Sequence, residues 1–253
     1  MTYCVAMHLS KGLIFASDSR TNAGFDQIST FRKMHTFSGH DRTLVLLSAG
    51  NLATSQSVIS LLEKRSGHDA ANLMNAASLF EAAETVGSTI REVMQRDNPA
   101  GKSSNVDFSC SIILGGQIRG EGQRLFNIYP EGNFIESTPE TPYFQIGESK
   151  YGKPILDRVL NWDTPLDRAY QCALISFDST MKSNLSVGMP LDVAIYPADG
   201  LKPCHTAHID ETDPYFSQLR IDWHQGIGRL MHSLPPPRLQ DGSAVPLSSA
   251  KRI

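Results

Sequence analysis

The second residue of this sequence, a threonine, has the most direct chemical potential. Methionine aminopeptidases act when the second residue is small, so we expect Met1 to be removed and Thr2 to become N-terminal. A terminal threonine carries a hydroxyl nucleophile and a free α-amine on one residue. An α-amine titrates near ~7.7–8.0, so much of it is neutral at working pH and can accept the hydroxyl proton. Because many proteins begin Met-Thr, this pair alone predicts little.

Three further residues follow at spacings that let them converge on the start of the first strand. Asp18 ends a predicted strand, Lys33 comes fifteen residues later, and Gly50 closes a further strand. Asp18 would hold Lys33 charged and in place, and the Lys33 ammonium would favour deprotonation of the Thr2 hydroxyl, because a nearby cation stabilises an anion. The Gly50 N–H would donate to a developing oxyanion without a side chain in the way.

Other catalytic and ligand-binding patterns are missing from the sequence. It contains no GxSxG, HExxH, GxxxxGK[ST] or GxGxxG motif. His205 and His208 lack a carboxylate or cysteine pattern that would complete a metal site, and are interpreted as residues of a strand end. The cysteines form no CxxC pair, so we expect buried thiols and neither a disulfide framework nor a zinc site; they are Cys4, Cys110, Cys172 and Cys204. We expect no cofactor and no metal.

Composition limits the class of protein. The chain has 253 residues, 40% of them hydrophobic and 19% charged, which is a globular balance and excludes wholesale disorder. The net charge is −3, whereas a general nucleic-acid binder usually has an excess of basic residues. No apolar run approaches the ~18 residues of a membrane span, and no secretory signal is recognised. We therefore expect a cytoplasmic protein with no nucleic-acid or membrane partner.

Hydrophobic periodicity predicts the elements that must position these residues. Strands are predicted over 2–10, 13–16, 43–48, 107–115, 123–129, 133–137, 191–197 and 205–209, and helices over 53–65 and 78–96. A further helix opens at Thr164-Pro165, with Thr164 as N-cap. A last helix spans 213–233 and is stopped by the prolines at 235–237. This order predicts antiparallel sheets with helices on their outer faces, a layered α+β fold in one domain over 1–235, followed by a flexible tail over 236–253.

With these residues in place, the sequence resembles the β-type subunits of the proteasome superfamily, the N-terminal-nucleophile hydrolases. Within that superfamily it is similar to the bacterial branch called the ancestral β-subunit, or Anbu. The similarity covers about 2–235 and rests on the order Asp18-Ser19-Arg20 with Ala23-Gly24, then Lys33, then Ala49-Gly50, all behind an N-terminal threonine.

The resemblance implies a fold, a mechanism and an assembly. The fold is a four-layer αββα sandwich. Thr2 is the nucleophile, its amine is the proton acceptor, Asp18 orients Lys33, and the Gly50 N–H serves the oxyanion. Residues 21, 22 and 48–50 line a cleft for an extended peptide or protein substrate, and the candidates for the first specificity pocket are Phe31, Ser48 and Leu52. Self-association into rings or ring-like helical homo-oligomers is implied, while the sequence identifies no partner unfoldase.

The sequence departs from the family pattern in two places. A family G-S-G turn is replaced by Ile146-Gly147-Glu148-Ser149, which puts Glu148 at the place of a serine that supports the nucleophile. A family D-x-x-S-G-G pattern is matched by Ser183 at the Asp position and Ser186 at the Ser position. An alternative alignment on Asp178 leaves Met181 at the Ser position.

These departures keep alternatives open. The chain is expected to be a threonine peptidase, an assembling scaffold with weak or no activity, or an amidase acting on a small amide. At the residue level, Asp18 with Arg20 is alternatively a strand-end ion pair, Lys33 with Arg32 a solvated pair, and Glu148 with Ser149 a helix cap. Cys4, two residues from the nucleophile, is interpreted as a packing residue.

Overall fold

A computed structural model describes residues 2–22, 28–67, 71–98 and 107–235. The strands are β1 Tyr3–Leu9, β2 Gly12–Asp18, β3 Arg20–Asn22, β4 Ile28–Thr30, β5 Met34–Ser38, β6 Arg42–Gly50, β7 Cys110–Ile118, β8 Arg124–Ile128, β9 Phe134–Glu136, β10 Tyr143–Gly147, β11 Leu191–Pro197 and β12 His205–Ile209. The helices are α1 Leu52–Arg65, α2 Leu79–Asp97, α3 Lys153–Val159, α4 Leu166–Ser183 and α5 Pro214–Ser233.

Two five-stranded antiparallel sheets form the centre of the fold. Their strand orders are β10-β1-β2-β11-β12 and β5-β6-β7-β8-β9, and β3 pairs with β4 as a separate ribbon. Strand β2 is buried along its whole length, because one face meets the second sheet and the other is covered by a helix. The first strand thus lies inside its sheet, between β10 and β2, and the residue before it is held at the sheet's end.

Successive side chains along each strand point to opposite faces of the sheet, and together with the helices they form three apolar layers. Between the sheets, alternate residues of β1 and β2 meet β6 and β7, with Cys4, Ala6 and Phe15 facing Val45 and Leu47. Helices α1 and α2 cover the outer face of the second sheet. Helix α4 covers the outer face of the first, where the rings of Tyr3 and Phe177 lie 4.5 Å apart. The predicted αββα sandwich is confirmed.

Contacts divide the chain into two units, Met1–Asp213 and Pro214–Ile253. The first holds both sheets and α1 to α4; the described part of the second is α5 and the two residues after it. The single domain over 1–235 stays a prediction, and the tail at 236–253 lies outside the described residues.

Most predicted elements lie within three residues of the observed ones, and the differences have local causes. Thr164 is not the N-cap of α4, because Pro165 occupies the cap and the Thr164 hydroxyl accepts from the Asn161 N–H at 2.9 Å. Strands β3, β4, β5 and β10 and helix α3 were not predicted. Each is seven residues or fewer, too short for a clear period, and their pairing partners decide their conformation.

Helix α2 tests how tightly the outer layer packs. A Cβ added at Gly87 would lie 2.2 Å from the Gly132 carbonyl oxygen, so we expect Gly87→Ala to lower the free energy of unfolding by about 1–3 kcal/mol through overpacking. Urea denaturation measures this. The matched control is Gly226→Ala in α5, where the added Cβ meets nothing within 4 Å, and alanine improves helix propensity by up to about 1 kcal/mol. An unchanged or raised midpoint for Gly87→Ala would contradict the packing.

Candidate active site

Thr2 stands immediately before β1 and is held there by backbone contacts. Its carbonyl oxygen accepts from the Glu148 N–H at 2.7 Å, just beyond the last β1–β10 pair, Tyr3 with Gly147. Gly147 has a φ of +81°, and a Cβ there would lie 2.0 Å from the Thr2 oxygen. This glycine therefore permits the close backbone approach that fixes Thr2.

Asp18 and Lys33 form a buried ion pair next to this position. The Lys33 Nζ donates to Asp18 Oδ1 at 2.7 Å and to the Arg20 carbonyl oxygen at 2.6 Å. Asp18 also accepts from the backbone N–H groups of Tyr3 at 3.0 Å and Gly188 at 3.3 Å. The Asp18 side chain is fully buried and that of Lys33 is 5% exposed. The pair is thereby linked to the residue that follows Thr2.

Burial raises the pKa of the Asp18 carboxyl above its ordinary value, because desolvation penalises the charged form. The Lys33 ammonium and the two N–H donors act in the opposite direction. The carboxylate thus depends on Lys33 to stay charged, and the two side chains form one electrostatic unit.

A pocket of about 380 Å³ brings the nucleophile candidate and the predicted cleft together. Thr2, Lys33 and Gly50 all line it, and so do the predicted specificity residues Phe31, Ser48 and Leu52. Ala49, one of the cleft residues predicted at 48–50, lines it as well. Residues that were not predicted complete its wall; they are Arg32, His35, Ser55, Gln56, Ile59, Ser60 and Glu63. Residues 21 and 22 belong to β3.

Gly50 has a backbone that requires the absence of a side chain. Its φ is +109°, and a Cβ would lie 2.4 Å from the Ser109 carbonyl oxygen. The next residue, Asn51, caps α1 by accepting from the Thr54 N–H at 3.1 Å. The end of β6 and the positive end of the α1 dipole therefore meet beside the pocket.

On the β10 side of Thr2, Glu148 has a hydrogen-bond partner that sequence reasoning missed, Asn184. Glu148, 8% exposed, accepts a hydrogen bond from the Asn184 Nδ2 at 2.9 Å. Asn184 Oδ1 accepts from the Ser186 N–H at 2.9 Å. Ser183, the residue proposed for this position by alignment, is exposed as the last residue of α4. The sequence signal was the polar Asn184 next to the aligned Ser183. A single sequence cannot decide which of two adjacent polar residues takes a position of the family pattern.

Several alternative interpretations are resolved by these contacts. Arg20 donates to the Leu185 carbonyl oxygen at 3.3 Å, and the ion partner of Asp18 is Lys33, which is buried rather than solvated. Glu148 and Ser149 do not cap α3, whose N-cap is Gly152. The Asp178 carboxylate pairs with Lys182 at 3.1 Å within α4.

The histidines of β12 and the cysteines play no visible ligand role. His208 Nδ1 lies 2.7 Å from Asp192 Oδ1, and the described part of the chain contains no cluster of three metal-ligating side chains. The Cys4 Sγ donates to the Ser48 carbonyl oxygen at 3.7 Å inside the apolar layer between the sheets.

None of the described helices has both the length and the apolar character needed to cross a membrane.

Comparison with known proteins assigns the family. The family described as proteasome subunit matches residues 2–196. The chain belongs to the proteasome subunit family. Its structure is similar to that of Anbu (ancestral beta-subunit) from Yersinia bercovieri, with a TM-score of 0.88 and 59% identity over 94% of this chain and 99% of that one. It is also similar to the Anbu complex from Pseudomonas aeruginosa, solved as a helical assembly, with a TM-score of 0.88 and 56% identity over 93% and 98% of the two chains.

More distant members of the proteasome family also match. A proteasome subunit beta from Haloquadratum walsbyi is 25% identical over 209 residues, 79% of this chain and 75% of the relative. The predicted membership of the proteasome superfamily is confirmed, as is the similarity to its Anbu branch.

Thiol alkylation tests the packing interpretation of Cys4. Burial strongly raises the pKa of the Cys4 thiol, and the reactive species is the thiolate. We expect iodoacetamide to alkylate the exposed Cys204 in the folded protein and to leave Cys4 unmodified, as measured by peptide mass spectrometry. In urea both should react. Alkylation of Cys4 at the rate of Cys204 without denaturant would show that Cys4 opens to the pocket.

Proposed function

We propose that this chain is an N-terminal-nucleophile threonine peptidase that hydrolyses peptide bonds through an acyl-enzyme on Thr2. The observation that carries the proposal is the buried Lys33–Asp18 pair, which is hydrogen-bonded to the backbone beside Thr2 and whose Lys33 lines the same pocket as Thr2. A lysine ammonium held next to a hydroxyl favours the anionic form of that hydroxyl. Removal of Met1 is part of the proposal.

The proposed reaction proceeds by acyl transfer in two steps. The Thr2 Oγ attacks the substrate carbonyl carbon while its proton passes to the α-amine, and the oxyanion accepts from the Gly50 N–H. The C–N bond then breaks as the leaving amine takes that proton. In the second step a water gives a proton to the α-amine and attacks the ester, and the proton returns to Oγ. The Lys33 ammonium lowers the energy of the alkoxide formed at Oγ in each step.

The substrate is proposed to be a peptide or protein segment in extended conformation. Backbone beside the pocket, at the end of β6, offers pairing for such a segment. The 380 Å³ pocket takes the side chain that precedes the cleaved bond. The cytoplasmic location expected from the sequence stays a prediction.

A second candidate function is an assembling scaffold with little or no proteolytic activity. The observation that favours it is that Glu148, which stands where the family pattern has a serine, is buried beside Thr2 and hydrogen-bonded to Asn184. The third hypothesis from the sequence is an amidase that acts on a small amide. It differs from the peptidase in the substrate that the processed protein hydrolyses.

Substitution of the nucleophile tests the proposed reaction. We expect Thr2→Ala to lose at least about a thousand-fold in hydrolysis of a panel of short peptides, because the variant lacks the hydroxyl that forms the acyl-enzyme in the proposed mechanism. The parent must first be shown by mass spectrometry to begin at Thr2. A peptide epoxyketone, which needs both the hydroxyl and the amine, should form an adduct on Thr2 of the parent only.

The control is Thr141→Ala, an exposed threonine in the turn before β10, which should retain full activity. Equal hydrolysis by Thr2→Ala and parent would refute the mechanism. A processed parent that neither cleaves peptides nor reacts with the epoxyketone would favour the scaffold.

Self-assembly into rings or ring-like helices is the second part of the proposal. An apolar stripe runs along helix α5 and includes Leu234, the residue after the helix. The stripe residues are spaced i, i+3, i+4 and i+7 and are 44–64% exposed; they are Ile227, Leu230, Met231 and Leu234. A second copy of the chain is the proposed occupant. The similar Pseudomonas aeruginosa protein, solved as a helical assembly, supports this choice.

Charge placed on the stripe tests the assembly. We expect Leu230→Glu combined with Met231→Glu to shift the protein to smaller species, because association would bury the carboxylates in an apolar contact. Light scattering coupled to size-exclusion chromatography measures the mass. Gln225→Glu on the opposite face of α5 is the control and should leave the mass unchanged. A double variant of the parental mass would exclude this surface.

A further inference from the structure

Glu148 is a buried carboxylate without a visible counter-ion. It is 8% exposed, and its Oε2 accepts from the uncharged Asn184 amide. Among the ranges that the structure describes, no lysine, arginine or histidine nitrogen forms an ion pair with it, although nine such pairs are found elsewhere. A buried carboxylate costs free energy unless a cation or several donors compensate it. We therefore expect a positively charged group close to the Glu148 carboxylate.

Thr2, which becomes the N-terminal residue if Met1 is removed, lies across from Glu148 in the sheet. The Glu148 N–H donates to the Thr2 carbonyl oxygen at 2.7 Å, and the β1–β10 register continues from Tyr3 with Gly147 to this contact. Residues opposite each other in an antiparallel pair have neighbouring side chains. Removal of Met1 turns the Thr2 nitrogen from an amide into an ammonium, and Glu148 is the residue across from it.

We propose that Glu148, oriented by Asn184, is the counter-ion of the α-amino group of processed Thr2. This inference rests on the proposed function in one respect, the removal of Met1. Glu148 acts through the amine and not on the substrate, so it is a positioning residue.

The charge has a defined effect on the proposed reaction. When Thr2 Oγ bonds to the substrate carbonyl carbon, its proton moves to the amine and an ammonium forms. The Glu148 charge stabilises that ammonium, which makes the amine a stronger base. The same charge lowers the fraction of neutral amine at neutral pH. The rate should therefore rise towards alkaline pH, with a midpoint above that of an ordinary α-amine.

Other charged groups lie on the elements around Thr2. Asp18 and Lys33 neutralise each other, as do Asp178 and Lys182 on α4. The remaining charged or titratable groups near the site include Tyr3 and Cys4 on β1 and a set on the neighbouring elements; these are Arg20, Arg32, His35, Glu63 and Lys150. All of them are kept when Glu148 alone is replaced, so a difference between parent and variant isolates its contribution.

Competitive labelling of the amine provides the test, and it needs no enzymatic activity. Processed protein is dinitrophenylated from about pH 5 to about pH 10, which brackets an α-amine, and labelling of the N-terminal peptide is measured by mass spectrometry. We expect Glu148→Gln to lower the labelling midpoint by about one pH unit, a tenfold change in proton affinity. Glu84→Gln, the same change at an exposed site on α2, should leave the midpoint in place.

The outcomes separate this inference from the proposed function. An equal midpoint in parent and Glu148→Gln overturns the inference even if the enzyme is active. A lowered midpoint in a protein that cleaves nothing supports the inference and refutes the peptidase. With activity present, the acid limb of the rate profile should move by the same amount. Should Glu148→Gln fail to fold, Glu148→Ser carries the same expectation and the same refutation.

Discussion

The ion pair between Lys33 and Asp18 is the interaction on which the site depends. Both side chains are withdrawn from water, and one Asp18 oxygen accepts from both the ammonium and the backbone N–H of Tyr3. A buried pair of this kind is expensive to break, since removal of one partner leaves an uncompensated charge at a cost of about 3–5 kcal/mol. Its geometry is consequently rigid, and it fixes a cation beside the residue that precedes β1.

The fold meets this constraint by placing a chain end inside a sheet. Strand β1 pairs on both sides, with β2 and β10, so Thr2 is located by the ladder rather than left to fray as termini usually do. Gly147 and Gly50 allow the neighbouring backbones to come close to Thr2 and to Ser109, where any other residue would meet a carbonyl oxygen. Rigidity on both sides of the pocket is what acyl transfer at a fixed hydroxyl requires.

The two flanks of Thr2 differ in chemistry. The Lys33 flank has a neutralised pair, whereas the β10 flank has a buried carboxylate with an amide partner. In the proposed mechanism, the first flank favours an alkoxide and the second favours an ammonium, and together they match the charge separation that arises when the Thr2 hydroxyl gives its proton to the Thr2 amine. Under the proposed mechanism, the replacement at Glu148 is compatible with the peptidase, although it is also the observation that motivates the scaffold as a second candidate.

The sequence by itself determined the layered class, the family and the choice of four residues for the candidate site. Longer apolar segments such as β6 and α2 were found within one or two residues, since their apolar residues are strong local signals. Thr2, Asp18, Lys33 and Gly50 could be named because their types and order carry the chemistry. Tertiary structure alone decided that Lys33 is buried against Asp18. It likewise decided that the short strand β10 forms and pairs with β1 next to Thr2. It also decided that Asn184, not its neighbour Ser183, meets Glu148. These facts depend on contacts across 15 to 144 residues of chain, and no local pattern encodes which of two adjacent polar residues turns towards a distant partner.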